Sequence, residues 1–170
     1  ARALQDVDLW SLTVNKYNGA ALEPSYEPFE FIGPEPEAHI QNHKLYTGSC
    51  HCGAVTLALK TKKLLSEEDE VIGECDCSIC ARMGRILTYR PPSQISICLT
   101  PGTSITSYSF ATKQFEHKFC SGCGVAVYID DTIENMKGVN LRCFGGIEWD
   151  DINTFKNPGS RFEPIYVVPE

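Results

Sequence analysis

No stretch of the 170-residue sequence reaches 18 consecutive apolar residues, so no membrane-spanning helix is expected. The opening residues, Ala1-Arg2-Ala3-Leu4-Gln5-Asp6, lack the apolar run of a secretory signal. A surplus of basic charge is missing as well. Fifteen Lys and Arg stand against 22 Asp and Glu, a net charge of −7, with no basic block. That leaves no electrostatic footprint for nucleic acid or for an anionic membrane surface. A small molecule or a protein is the expected partner. Disorder is not expected either, because the hydrophobic content is 42%. A single domain of this length buries roughly 70% of its unfolded surface and needs no covalent staples. The cysteines therefore have another purpose.

There are nine cysteines, an awkward total for a disulfide framework. Seven fall in three clusters: Cys50-x-Cys52, Cys75-x-Cys77-x-x-Cys80 and Cys120-x-x-Cys123. Cysteines two apart on a strand share a face, and a Cys-x-x-Cys turn also aims both sulfurs one way. This is zinc spacing, and it implies a reducing, cytoplasmic compartment. Buried free thiols or a disulfide scaffold are the alternatives. Seven ligands divide as four plus three. Cys50, Cys52, Cys120 and Cys123 make a closed, structural site of four thiolates, tying off a loop of about 70 residues. Cys75, Cys77 and Cys80 hold a second zinc with one position open, unless Asp76, His51 or His117 closes it. Gly48 and Gly53 flank the first pair, and Gly122 and Gly124 the last, where metal-binding turns need unusual backbone angles.

The chain reads as mainly β, with short antiparallel strands organised around the two sites and little helix. Strands are expected from Ala54 to Leu59, Ile86 to Tyr89, Ile95 to Leu99, Ser104 to Phe110, Phe115 to Phe119, Val125 to Ile129 and Val139 to Phe144. The one short helix is expected over 77–84, stopping at Gly84. Glu67-Glu68-Asp69-Glu70 is an acidic, solvated loop.

An internal repeat joins the two ends. Residues 1–26 laid on 141–166 without a gap give six identities: Arg2 with Arg142, Lys16 with Lys156, Gly19 with Gly159, Glu23-Pro24 with Glu163-Pro164, and Tyr26 with Tyr166. On this reading residues 1–26 are the tail of a preceding unit, 27–45 a Pro/Glu-rich linker, and 46–170 the zinc-binding, catalytic-type domain. The full product is then a tandem repeat with this chain as its second half. A homologous first-half domain or a second copy of the chain is the partner this implies.

Gly48-Ser49-Cys50-His51-Cys52-Gly53-Ala54-Val55, Cys75-Asp76-Cys77-Ser78-Ile79-Cys80 and His117-Lys118-Phe119-Cys120-Ser121-Gly122-Cys123-Gly124 together resemble the three signatures of the glutathione-dependent formaldehyde-activating enzyme / centromere protein V family. Val139-Asn140-Leu141-Arg142-Cys143 is similar to that family's last core strand. The likeness covers about residues 46–150. It implies a mainly-β fold with two zinc ions, Cys50, Cys52, Cys120 and Cys123 as structural ligands, and Cys75, Cys77 and Cys80 as catalytic ones. It also implies carbon–sulfur lyase chemistry on a thiol adduct of glutathione type. The acidic loop before Cys75 and the long N-terminal segment depart from the family.

A thiol substrate suits an open zinc position, because the metal favours the thiolate. No acid/base is assigned. Asp76 and His51 each sit between two ligands and are expected to point away from the metal. His117 reads as a strand residue. Arg82 and Arg85 are expected at the surface, or on a substrate carboxylate. Cys98 and Cys143 are expected as buried packing thiols, and Tyr89-Arg90-Pro91-Pro92 is a candidate pocket lining. Two other functions compete: a non-catalytic, zinc-stabilised protein-interaction module, and a zinc hydratase or eliminating enzyme that needs no thiol.

Overall fold

The computed structural model describes residues 7–8, 10–15, 17–67, 71–165 and 167. Among these residues ten strands and one short α-helix follow in the order β1 (Lys44–Ser49), β2 (Val55–Thr61), β3 (Gly73–Cys75), α1 (Ser78–Met83), β4 (Leu87–Arg90), β5 (Ile95–Leu99), β6 (Ile105–Tyr108), β7 (Phe115–Cys120), β8 (Ala126–Asp131), β9 (Met136–Asn140) and β10 (Phe155–Asn157). The mainly-β expectation holds. Three strands form a small sheet, β1-β2-β5, and seven form a larger one, β10-β3-β4-β9-β8-β7-β6. Every pairing is antiparallel except β10 on β3, which is parallel.

The core draws on both sheets. Val55, Leu57 and Leu59 of β2 and Ile95 of β5 meet Val127 of β8 and Val139 of β9. Each such side chain contributes about 1.5–3 kcal/mol by leaving water. β2 is buried along its whole length, polar residues included. Its second face is covered by the Pro/Glu-rich stretch: Lys60 Nζ donates to the Pro36 carbonyl at 2.8 Å and pairs with Glu35 at 3.3 Å. β1 begins at Lys44, inside that stretch.

α1 ends as expected, on Gly84 at φ 62°, whose amide donates to the Cys80 carbonyl. The strand expected over Val139–Phe144 stops early. The Asn140 side chain accepts from the Arg142 amide and donates to the Ala126 carbonyl, capping a 3-10 turn at Leu141–Cys143. β1, β3 and β10 carry no alternating pattern and form only because a neighbour pairs with them. Glu68, Asp69 and Glu70 of the acidic loop lie outside the described residues. No helix among the described residues is long and apolar enough to cross a membrane.

Candidate metal centres

Two matching turns build the four-cysteine cluster. At the β1–β2 corner, Cys50 N donates to Val55 O at 2.8 Å and Gly53 N to Cys50 O at 3.0 Å. At the β7–β8 corner, Cys120 N donates to Val125 O at 3.0 Å and Gly124 N to Cys120 O at 2.9 Å. Gly53 and Gly124 have φ of 75° and 73°, the left-handed geometry expected of them. Gly48 serves a different need, because a side chain there would strike the Cys143 carbonyl. The four sulfurs lie within 4.8 Å of one another. The Cys50–Cys52 and Cys52–Cys120 separations are 3.6 and 3.7 Å. Tetrahedral zinc at about 2.3 Å from each sulfur requires about 3.75 Å between sulfurs, so the cluster fits a metal. The Val55 amide also donates to Cys50 Sγ at 3.3 Å. Burial pushes the Cys50 thiol up to about 12. Cys123, despite burial acting upward, is held at about 6 by the Val125 and Cys52 amides.

The second cluster is Cys75 at the end of β3, Cys77 just before α1, and Cys80 on the helix. Their sulfurs also lie within 4.8 Å of one another, and no fourth His, Cys, Asp or Glu among the described residues joins them. Hydrogen bonds from Cys75 and then Cys80 hold Cys77 low. Hydrogen bonds with Cys75 and then Cys77, and burial after them, push Cys80 up, and Arg85 opposes them. Three crowded thiols cannot all ionise alone, and a dication is what would let them. Both clusters therefore suit zinc, and both are ones that cysteine spacing assembled in advance.

The three suggested closing residues are engaged elsewhere. The Asp76 carboxylate accepts from Ser160 N at 2.7 Å and Ser160 Oγ at 2.9 Å. It clamps the C-terminal segment rather than capping its own turn. His51 stacks on Tyr26 at 5.0 Å, beside the other cluster. His117, in β7, is buried, and its Nδ1 lies 3.0 Å from Arg85 Nη1. Arginine only donates, so this imidazole nitrogen accepts and the ring proton sits on Nε2. Burial first, and Arg85 second, lower His117 to about 4.

Arg85 overturns its expectation. It is 1% exposed, not at the surface, and it donates to Cys80 Sγ at 3.2 Å and to His117. Its Nε has no hydrogen-bond partner among the described residues. Arg82 is exposed, as expected, and one nitrogen donates to the Ser78 carbonyl. Cys143 is buried, but Cys98 is only half-buried. The cleft beside α1, about 150 Å³, is lined by Ser78, Ile79, Arg82, Tyr108 and Phe110. Tyr89-Arg90-Pro91-Pro92 is not part of that lining. Phe110 stacks on His117 at 5.7 Å, linking the cleft wall to Arg85.

Sequence reasoning missed the C-terminal cover. β10 pairs with β3, and Asp76 N donates to Asn157 O at 3.2 Å. A Cβ on Gly159 would lie 2.4 Å from Cys75 Sγ. The available signal was the glycine itself, matched by Gly19 in the repeat.

The sequence model of a family described as glutathione-dependent formaldehyde-activating enzyme matches residues 45–158. The crystal structure of a Rhodobacter sphaeroides protein is similar in fold, with a TM-score of 0.52 and 29% identity. The match covers 65% of this chain and 97% of that one.

Proposed function

The chain belongs to the glutathione-dependent formaldehyde-activating enzyme family, and from that premise we propose that it is a zinc-dependent carbon–sulfur lyase. Its substrate is the adduct of a glutathione-type thiol with a small carbonyl compound. The observation that carries this reading is the three-sulfur cluster, which no fourth His, Cys, Asp or Glu among the described residues joins; Ser78, Ile79 and Arg82 of the same helix as Cys80 line a cleft. A zinc held there by Cys75, Cys77 and Cys80 leaves one position open and favours a thiolate over a thiol.

The chain's own residues do the rest. Arg82, exposed on the cleft wall, offers its guanidinium to a carboxylate of the peptide thiol. Tyr108 and Phe110 give the cleft an apolar side against which the adduct's chain rests. Arg85 offsets the negative charge of three thiolates from behind. The cleft is smaller than the roughly 300–1,000 Å³ of pockets that enclose a whole ligand, so it holds one end of the thiol and leaves the carbonyl end toward the cysteines. In the lyase direction the carbon–sulfur bond of the hydroxymethyl-type adduct breaks, the hydroxyl proton passes to sulfur, and aldehyde and thiol separate.

The test is exchange spectroscopy of glutathione and formaldehyde with the zinc-loaded chain. Adduct exchange accelerates above the uncatalysed rate, and Arg82→Ala raises KM about tenfold with little change in kcat. No acceleration would favour the binding-module reading, and acceleration of a reaction that needs no thiol would favour the hydratase.

A further inference from the structure

Turns among the described residues between 8 and 25 repeat those between 148 and 165. Ser11 N donates to Asp8 O at 3.2 Å, as Asp151 N does to Glu148 O at 3.1 Å. Ala21 N donates to Asn18 O and Leu22 N to Gly19 O, as Arg161 N does to Pro158 O and Phe162 N to Gly159 O. The two 3-10 turns, Gly19–Ala21 and Gly159–Arg161, end on Leu22 and Phe162 at φ/ψ of −78°/137° and −83°/135°. Ser25 N then reaches Glu23 Oε2 at 3.3 Å, as Ile165 N reaches Glu163 Oε2 at 3.2 Å.

The two copies differ in what their turns meet. The C-terminal copy straps the three-cysteine cluster: it pairs with β3, it is held by Asp76, and Gly159 sits against Cys75. Among the described residues, chain neighbours aside, Gly19 has no atom within 4 Å of the place its Cβ would take. Ile152, the counterpart of Leu12, packs on the core, whereas Leu12 is 44% exposed; Leu22 and its counterpart Phe162 are alike, at 57% and 59%. The N-terminal copy touches the domain near its ends, through Trp10 under Lys156 and Tyr26 on His51.

We infer that residues 8–25 are a strap for another unit of the same kind: an edge strand leading into its own Cys-x-Cys-x-x-Cys cluster. A second copy of this chain does not offer that edge, because β10 already occupies the outer side of its β3. The unit precedes this one in the polypeptide, because in the copy that can be seen the strap follows its cluster in sequence. Gly159 lies 84 residues after Cys75, which puts the missing cluster about 65 codons before that of Ala1. The partner's counterpart of Asp76 takes its hydrogen bond from a backbone amide alone, since Ala20 stands where Ser160 donates a hydroxyl.

Two experiments decide it. Sequencing the transcript upstream of the Ala1 codon gives an open frame encoding a Cys-x-Cys-x-x-Cys motif near that position. A start codon beside Ala1, or a frame without the motif, overturns the inference. In the second, residues 158–162 of the full chain are replaced by the sequence of residues 18–22. The chimera retains the zinc content of the wild-type chain measured beside it, and a chimera holding one zinc fewer overturns the equivalence. The zinc readout rests on the metal reading above. A wild-type chain holding one zinc faults that reading, and the transcript then decides this one alone.

Discussion

Arg85 aims a guanidinium nitrogen at Cys80 Sγ from 3.2 Å, out of a position only 1% exposed. A buried cation needs compensating charge, and the three-cysteine cluster supplies it. The dependence is mutual, since three thiolates on one dication carry a net negative charge. Arg85→Leu is therefore expected to weaken zinc at this cluster about 10- to 100-fold, the usual cost of losing a partner behind a ligand. Arg85→Lys keeps the charge but not the fork that reaches Cys80 and His117 together, and falls between. Chelator competition resolves the two sites. Equal weakening at both would contradict the assignment.

How far the sequence leads depends on the range of each interaction. The grouping of the cysteines into four and three was legible because its parts are local in sequence: each cysteine of the two clusters lies within three residues of another. The helix stop at Gly84 was legible for the same reason, since a left-handed φ favours glycine. Arg85 was not. A charged residue after a helix reads as surface, whereas the fold buries this one against Cys80 and against His117 of β7, 32 residues away in sequence. β3 and β10, three residues each, hold no pattern of their own and exist through their pairing.

Asp76 joins the cluster to its cover. Its carboxylate is the only side-chain link described between residue 76 and Ser160. Asp76→Ala removes two hydrogen bonds, one from a backbone amide, and is expected to cost about 1–2 kcal/mol. The loss is local, so amide exchange accelerates at β10 and at the 3-10 turn Gly159–Arg161, while β8 and β9 keep their protection. Uniform acceleration across the sheet would show that Asp76 supports the whole fold instead.

Asp131 closes the β8–β9 turn. It accepts from Gln114 Nε2 at 3.1 Å, Ile133 N at 3.1 Å and Glu134 N at 3.2 Å. Burial alone would raise its carboxyl, but the bonds from Gln114, Glu134 and Ile133 outweigh it and leave the group below the ordinary carboxylate value. A depressed folded value makes this contribution complete above the unfolded value, about 3.9, and lost as pH falls through the folded one. Carbon-13 titration of the Asp131 carboxyl is expected to show a midpoint below that of a free aspartate. Asp131→Asn is expected to lower stability at neutral pH by about 1 kcal/mol. A normal midpoint would mean that the turn does not hold the charge.

Gly159 and Gly19 occupy matched places in the repeat and predict opposite results. A Cβ at Gly159 meets Cys75 Sγ at 2.4 Å and Cys77 Cβ at 3.0 Å. The obstacle is steric alone, because its φ is not among the positive ones. Gly159→Ala must lift the strap or shift the sulfur. Zinc transfer to a chromogenic chelator is then expected to speed up several-fold in the phase belonging to the three-cysteine cluster. The four-cysteine phase stays as it was, since Gly159 touches none of its ligands. Gly19→Ala, with open space at its Cβ, changes neither phase in this chain. A Gly159→Ala chain with unaltered release from the three-cysteine cluster would mean that the strap lies on the site without governing its metal.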